Sequence, residues 1–260
     1  MELGKNEKIY YESFNNKLCG ILTKSDKTDK IVIMCHGLRG NKDECGAFIK
    51  LSEELIKIGY SSFRFDFDGH GESEGLDKDM TITKEIRDLE CTIMMLKDRG
   101  YSKLVLLGGS FGAGIVSLLP FEKYNNVKAI VLWYGCLDYN YARFGNLFTE
   151  ENMKVAEKNK YYISRSINTG KEFKFGFELF KETYRYKPYE NLKKCIIPKL
   201  FVHGEKDSVL PYKLSKNVSS NCNNSSFKLI RGGEHTFMNS DSAINKAIDV
   251  TVDFIKKINI

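Results

Sequence analysis

A serine flanked by glycines is the residue of this sequence best suited to nucleophilic chemistry. Ser110 is the centre of the pentapeptide Gly-Gly-Ser-Phe-Gly at residues 108–112, directly after the apolar run 103–107. The G-x-S-x-G pattern is typical of a nucleophile elbow, in which a strand turns sharply into a helix with serine at the apex. Glycine two residues before and after the serine would let the helix pass close to this strained turn. Taken alone, the pentapeptide also fits a glycine-rich turn with a surface serine.

A serine hydroxyl needs a base to take its proton and a third group to orient that base. Of the four histidines, His235 follows the last predicted strand, in a loop that contains Gly232 and Gly233. We therefore predict His235 as the base, with a surface loop histidine as the alternative. His36 ends an earlier strand, and we expect it to hold its loop by hydrogen bonds rather than to act as a base.

The orienting acid should lie between the serine and the histidine in sequence, at the end of a strand. Asp207 is the best candidate, in the segment 203–211. Glu205, two residues earlier, and Asp138, after the preceding strand, are the alternatives. Asp207 could also serve only as an N-cap for a helix at 209–214.

Acyl transfer also needs backbone N–H groups aimed at the oxygen that becomes negative. The amide after the nucleophile belongs to Phe111, and we predict it as one donor. The second donor should come from the loop 36–41 after the third strand, and we predict the amide of Leu38. The Leu38 side chain would then face the acyl pocket.

Strands and helices alternate along the chain and would position these residues at strand ends. The predicted strands are 8–14, 17–23, 31–35, 60–65, 103–107, 127–133, 196–203 and 226–230, with helices near 48–58, 82–96, 111–118 and 242–255. This alternation indicates a mostly parallel sheet that is covered by helices on both faces.

One long segment breaks this alternation. No short strand–helix unit is evident at 139–189, a stretch dense in tyrosine and phenylalanine: Tyr141, Phe144, Phe148, Tyr161, Tyr162, Phe173, Phe175, Phe177, Phe180, Tyr184 and Tyr186. We predict a core formed by residues 1–138 and 190–260, with 139–189 as a cap insertion between strands 6 and 7. Ordinary helical packing is the alternative explanation for the aromatic residues.

Composition narrows the class of protein. A length of 260 residues with 42% hydrophobic content suits one large α/β domain, and the scattered charges behind a net charge of +6 do not indicate nucleic-acid binding. Seven cysteines without C-x-x-C spacing are expected to be free thiols. No signal peptide, membrane span or metal-ligand spacing is evident, so we expect a soluble cytoplasmic protein without metal or organic cofactor.

Together these motifs resemble the α/β-hydrolase superfamily over nearly the whole chain. The resemblance rests on His-Gly at 36–37, Asp-Gly-His-Gly-Glu-Ser at 68–73, the elbow at Ser110, Gly-Glu-Lys-Asp at 204–207 and Gly-Glu-His at 233–235. It implies the α/β-hydrolase fold, with a mostly parallel eight-stranded sheet, and serine hydrolase chemistry. The expected catalytic set is the one already named from the residues.

Within the superfamily, the size and the insertion resemble bacterial cinnamoyl and feruloyl esterases and related small carboxylesterases, whose cap holds an aromatic acyl group. Gly109 stands where many relatives carry histidine. The Gly-Gly-Ser-Phe-Gly form is also similar to the catalytic domain of prolyl-oligopeptidase-type peptidases.

The expected function is carboxylesterase-type hydrolysis through an acyl-enzyme at Ser110, with an aromatic or medium-size acyl group. The expected partner is a small-molecule ester, and a homodimer is an open expectation. A peptidase or aminoacyl hydrolase, a thioesterase or acyltransferase, and a non-catalytic ligand receptor are the alternatives, since the fold does not decide among them.

Overall fold

The computed structural model describes residues 5–26, 28–139, 147–165 and 171–258, in which strands and helices alternate. The strands are β1 (Asn6–Ser13), β2 (Asn16–Thr23), β3 (Lys30–Cys35), β4 (Ser61–Phe65), β5 (Lys103–Gly109), β6 (Val127–Trp133), β7 (Tyr161–Arg165), β8 (Glu172–Gly176), β9 (Lys199–Gly204) and β10 (Ser225–Ile230). The α-helices are α1 (Ala47–Lys57), α2 (Ile82–Asp98), α3 (Phe111–Ser117), α4 (Glu150–Asn159), α5 (Phe177–Arg185), α6 (Pro188–Lys194), α7 (Tyr212–Ser220) and α8 (Asp241–Ile258).

Eight of the described strands form one sheet in the order β1-β2-β4-β3-β5-β6-β9-β10. β2 pairs antiparallel with β1 and with β4, and the pairs from β4 to β10 are all parallel. The predicted eight-stranded, mostly parallel sheet is therefore confirmed. The carboxyl ends of parallel strands lie on the same side of the sheet, so the loops after β3, β5, β9 and β10 meet there.

Helices cover both faces of this sheet, as predicted. On one face α1 and α8 pack against the strands, and on the other face α2 and α3 do so. β3 shows why its sequence is a continuous apolar run. Ile31 and Ile33 belong to one core cluster, whereas Val32 and Met34 belong to the other. A strand that is buried on both faces needs apolar side chains at every position.

Between β6 and β9 the chain adds α4, α5, α6 and a small antiparallel sheet of β7 and β8. The sequence does not predict this strand pair, because β7 is half-exposed and lacks a clear apolar pattern. Phe148 packs against Phe175 and Phe180 with ring centroids 6.3 and 5.2 Å apart, and all three are buried. These three aromatic side chains form a local core, whereas Tyr141 and Phe144 lie outside the described residues.

Two buried carboxyl groups on α2 should make the stability of the fold depend on pH. The Asp88 carboxyl accepts hydrogen bonds from the Ser13 hydroxyl at 2.6 Å and from the Asp68 N–H at 2.9 Å. Burial raises the pKa of Asp88 to about 6. Burial also raises the pKa of Glu85 well above its usual range. Both carboxyl groups therefore keep their proton to a higher pH in the folded state than in the unfolded state.

The free energy of unfolding should fall as pH rises from 4 to 7, and Asp88→Asn should weaken that fall. The folded-state pKa is above the unfolded value of about 3.9, so this stabilisation is present below pH ~4 and is lost through pH ~6. The Asp88 contribution is about 1–3 kcal/mol from the size of the shift. Urea unfolding at several pH values measures it. Exposed Asp98→Asn on α2 is the control, and equal pH dependence in both variants would contradict the prediction.

Candidate active site

Ser110 lies at the sharp turn between β5 and α3. Its backbone has φ 52° and ψ −115°, a conformation that is strained for a residue with a side chain. Hydrogen bonds hold the turn, because the Ser110 N–H donates to Trp133 O at 3.0 Å and the Ser110 carbonyl accepts from Cys136 N at 2.9 Å. The structure thus has the backbone geometry of a nucleophile elbow at this serine.

The glycines at 108 and 112 are sterically required by this turn. A Cβ on Gly108 would lie 2.5 Å from the backbone of Ala113. A Cβ on Gly112 would lie 2.3 Å from the carbonyl oxygen of Cys35, at the end of β3. Real Cβ atoms do not approach other atoms so closely, and the obstacles are backbone atoms that cannot turn aside. Only glycine lets α3 pass next to β3 and β5.

Ser110, His235 and Asp207 form one hydrogen-bonded row. The Nε2 atom of His235 lies 3.1 Å from Ser110 Oγ, and its Nδ1 atom lies 2.7 Å from Asp207 Oδ2. A carboxylate only accepts hydrogen bonds, so the network assigns the ring proton to Nδ1. Nε2 then accepts the hydrogen bond of the serine hydroxyl. In this arrangement Nε2 can take the Ser110 proton, and the carboxylate stabilises the charged ring that results.

The Asp207 carboxylate is buried and held by several donors. Besides His235, its donors are His203 Nε2 at 3.0 Å and the N–H groups of Val209 and Leu210 at 2.9 and 2.8 Å. Burial alone would raise the pKa of Asp207, but the hydrogen bonds from His203 and His235 outweigh it and hold that pKa well below its usual range. Asp207 is therefore ionised near neutral pH.

The loop after β3 lies directly against Ser110. A Cβ on Gly37 would be 3.0 Å from Ser110 Cβ. The next amide, that of Leu38, has no hydrogen-bond acceptor within the described ranges. Phe111 is the first residue of α3, where N–H groups point out of the helix end. The two amides predicted as oxyanion donors thus belong to segments that adjoin Ser110, and their role stays a prediction.

A known protein family matches the part of the chain that contains the elbow. Residues 26–174 match the family described as Serine aminopeptidase, S33. The chain belongs to this family. The matched region contains Ser110, Leu38 and Phe111, but it ends before Asp207 and His235. The family match by itself therefore does not assign the base or the acid.

Beyond this family model, the chain is also similar to individual proteins, in sequence and in structure. The sequence is 25% identical over 251 residues to a candidate esterase/lipase of Mycoplasma genitalium, and the alignment covers 89% of this chain and 91% of that protein. It is 22% identical over 210 residues to mouse palmitoyl-protein thioesterase ABHD10, and this alignment covers 80% of this chain and 69% of the thioesterase. The structure of Est1E from Butyrivibrio proteoclasticus with ferulic acid bound is similar at a TM-score of 0.83 and 22% identity, covering 96% of this chain and 98% of that one. The protein is a hydrolase of the α/β-hydrolase superfamily.

The structure distinguishes Asp207 from the alternative acids by geometry. Glu205 is exposed, and its Oε2 atom accepts a hydrogen bond from Gly232 N–H at 3.0 Å. Asp207, rather than Glu205 or Asp138, provides the oxygen next to His235 Nδ1.

Asp207 also performs part of the capping role that the sequence allowed as its alternative. Its Oδ1 atom accepts from the N–H groups of Val209 and Leu210. The helix α7 begins only at Tyr212 and has Pro211 as its N-cap residue. Asp207 therefore closes a turn before the helix, and its second oxygen remains available to the histidines.

His203 is a member of this site that the sequence reasoning missed. It is fully buried at the end of β9, with Nε2 3.0 Å from Asp207 Oδ2 and 2.7 Å from Leu210 O. Its Nδ1 atom lies 2.8 Å from Ser215 Oγ. Both oxygens near Nε2 are acceptors, so the network places the proton on Nε2. Its position four residues before Asp207, at a strand end, was the available signal.

His36 has the hydrogen bonds that we expected of a loop-holding residue. Its Nδ1 atom lies 2.8 Å from the carbonyl oxygen of Gly37, and its Nε2 atom accepts from Phe67 N–H at 3.2 Å. Burial and the neighbouring His70 lower the pKa of His36 to about 3. The neutral ring thus connects the loop after β3 to the loop after β4.

All seven cysteines lie in the described ranges and are free thiols. In the same ranges, no group of three or more His, Cys, Asp or Glu side chains could hold a metal ion. No helix among the described residues has the length and apolar character needed to cross a bilayer.

Proposed function

We propose that this protein is a carboxylesterase-type serine hydrolase that acts through an acyl-enzyme at Ser110. The observation that carries the proposal is the row from Asp207 through His235 to Ser110, with contacts of 2.7 and 3.1 Å. These distances are within the hydrogen-bond range that proton transfer between a nucleophile and its base requires. The strained backbone at Ser110 supports the same role.

In the proposed reaction His235 removes the Ser110 proton while Oγ attacks the ester carbonyl carbon. The carbonyl oxygen becomes negative and accepts hydrogen bonds from the amides of Leu38 and Phe111. The tetrahedral intermediate then expels the alcohol, which receives its proton from His235, and the acyl group stays on Ser110. Water, activated by the same histidine, releases the acid and restores the hydroxyl. Asp207 holds the ring tautomer and stabilises its charged form.

We also propose that residues 139–189 act as the cap of this site. Arg39, next to Leu38, donates a hydrogen bond to Ser164 Oγ on β7 at 3.1 Å. The Arg39 guanidinium carbon lies 5.9 Å from the centre of the Phe173 ring on β8. These contacts support a cap that touches the proposed oxyanion loop. An aromatic or medium-size acyl group is our proposed substrate part, in keeping with the fold similarity to Est1E, which binds ferulic acid.

Two other acyl substrates have specific support. The family description as a serine aminopeptidase favours an aminoacyl amide. The relationship to a palmitoyl-protein thioesterase favours a thioester. All three reactions would use the same nucleophile, base and acid, so the choice depends on the substrate pocket. The cytoplasmic location and the homodimer stay predictions.

A substrate panel tests the proposed function. Purified protein is given p-nitrophenyl esters of acetate, butyrate and ferulate, aminoacyl p-nitroanilides and acyl-CoA thioesters, and kcat/KM is measured for each. We expect the esters to exceed the other classes by at least about tenfold, a preference of roughly 1.4 kcal/mol at the transition state. Protein treated beforehand with a fluorophosphonate is the control. A higher kcat/KM on anilides or thioesters would replace the proposal, and labelling without turnover would favour a receptor.

A further inference from the structure

A buried glutamate lies behind the loop that adjoins Ser110. Glu44 is 5% exposed and begins a short 3-10 turn that follows the loop 36–41. Its Oε2 atom accepts a hydrogen bond from Gly37 N–H at 3.0 Å, and its Oε1 atom accepts one from the Tyr134 hydroxyl at 3.1 Å. Both carboxylate oxygens thus face donors from other parts of the site.

The Glu44 carboxylate fills the space between glycines of two site segments. A Cβ on Gly37 would lie 3.2 Å from Oε1, one on Gly40 would lie 3.0 Å from Oε2, and one on Gly109 would lie 3.0 Å from Oε1. Gly37 precedes Leu38, and Gly109 precedes Ser110. The carboxylate therefore bonds the backbone before the proposed oxyanion donor and leaves no room for a side chain on the residue before Ser110.

Tyr134 extends this contact to the histidine. It is fully buried directly after β6, with φ 36°. Its ring centroid lies 4.8 Å from that of His235. Through the Tyr134 hydroxyl, the same carboxylate is thus connected to the side chain on which the His235 ring packs.

This arrangement is costly for the fold. Burial raises the pKa of Glu44, against the opposing effect of the hydrogen bonds from Gly37 and Tyr134. Glu44 and Cys45 both have positive φ, 44° and 55°, which adds backbone strain. A buried carboxyl group and two strained residues at one turn indicate a geometric requirement, and the hydrogen bond from Gly37 N–H points to the loop after β3 as the place where it acts.

We propose that Glu44 is a positioning residue that holds the Gly37–Leu38 peptide against Ser110 and so aims the Leu38 N–H at the oxyanion. The proposal rests on the serine hydrolase function proposed above. Alanine at position 44 would leave Gly37 N–H and the Tyr134 hydroxyl without their acceptor. Glutamine could restore both bonds, because its carbonyl can accept from Gly37 and its amide can donate to a rotated Tyr134 hydroxyl.

The test compares Glu44→Ala and Glu44→Gln with wild type on a p-nitrophenyl ester. Each rate is divided by the number of sites that a fluorophosphonate titrates to completion, so loss of folded protein does not count. For Glu44→Ala we expect a kcat about 10- to 100-fold lower than that of wild type, a smaller effect than the removal of a whole oxyanion donor. Its KM should stay within about threefold of the wild-type KM. Glu44→Gln should stay within about fivefold of wild type, because it keeps both hydrogen bonds.

Lys199→Met is the matched control, because it also removes a buried ionisable side chain. Lys199 begins β9 and donates to Cys195 O and Asn223 O at 2.8 and 2.7 Å, at the edge of the sheet opposite the site. This variant should have a lower Tm and an unchanged kcat per titrated site. Tyr134→Phe provides a second test that keeps the Gly37 bond, with an expected loss of about 3- to 10-fold in kcat.

The outcomes separate the two proposals. Wild type that turns over no substrate and is not labelled at Ser110 would reject the proposed function. If wild type is active and the kcat per site of Glu44→Ala is within threefold of the wild-type value, the role of Glu44 is overturned and the proposed function stands. A Glu44→Gln variant as impaired as Glu44→Ala would also overturn positioning, because glutamine keeps the bonds. If Glu44→Ala does not fold, Glu44→Met takes its place, because methionine fills similar space and cannot accept from Gly37 N–H as a carboxylate does. A kcat per site within threefold of wild type in Glu44→Met then overturns it.

Discussion

Replacing Ser110 by alanine should lower kcat on a p-nitrophenyl ester by about six orders of magnitude and abolish labelling by a fluorophosphonate. The Ser110 hydroxyl lies next to His235 Nε2, so its removal leaves the proposed base without a nucleophile to activate. The remaining rate would come from the oxyanion donors and from substrate binding. The alanine adopts the same strained backbone, so we expect a Tm close to that of wild type.

Ser117→Ala is the matched control for this experiment. Ser117 is also buried on α3, but its hydroxyl donates to the carbonyl oxygen of Ala113 at 2.6 Å. This variant should keep its turnover and its labelling. Equal activity of purified, folded Ser110→Ala and wild type would remove the proposed mechanism, whichever substrate is preferred.

Asp207→Asn should give the second largest effect, a fall in kcat of about 10⁴-fold with the volume of the side chain preserved. Asp207 Oδ2 accepts from both His235 and His203, and Oδ1 accepts from two backbone N–H groups. Asparagine has one oxygen, so its NH₂ group must face either the histidines or the backbone donors. If it faces His235, the imidazole takes the wrong tautomer and Nε2 no longer accepts the serine proton.

Glu205→Gln is the control for the acid. Glu205 is two residues from Asp207, but it is exposed and contacts Gly232 instead of the imidazole. Its variant should keep kcat and KM, measured with the same ester. If Glu205→Gln were the damaging change and Asp207→Asn were not, the acid would be wrongly assigned.

Much of the fold could be predicted because its strands carry a local signal. β3 and β6 are buried along nearly their whole length, so their sequences are almost continuous apolar runs. β9 begins at Lys199, later than the predicted 196, because Pro198 lacks the N–H group that a ladder needs. β7 and β8 were missed for the opposite reason. β7 is half-exposed and lacks apolar alternation, and the alternation of β8, with Phe173 and Phe175, extends over only five residues.

The pentapeptide 108–112 predicted the sharp turn with Ser110, the proposed nucleophile, at its apex, because glycine at 108 and 112 is a local steric requirement. The order of the proposed serine, acid and base along the chain was also predicted from the sequence. Which carboxylate lies next to His235 could be read only from the folded chain, since it depends on how side chains leave the ends of β9 and β10. The contacts of His203 with Asp207 and of Glu44 with Gly37 were likewise found only in the structure. Their contacts join residues from separate strands, and no local pattern in a sequence records such contacts.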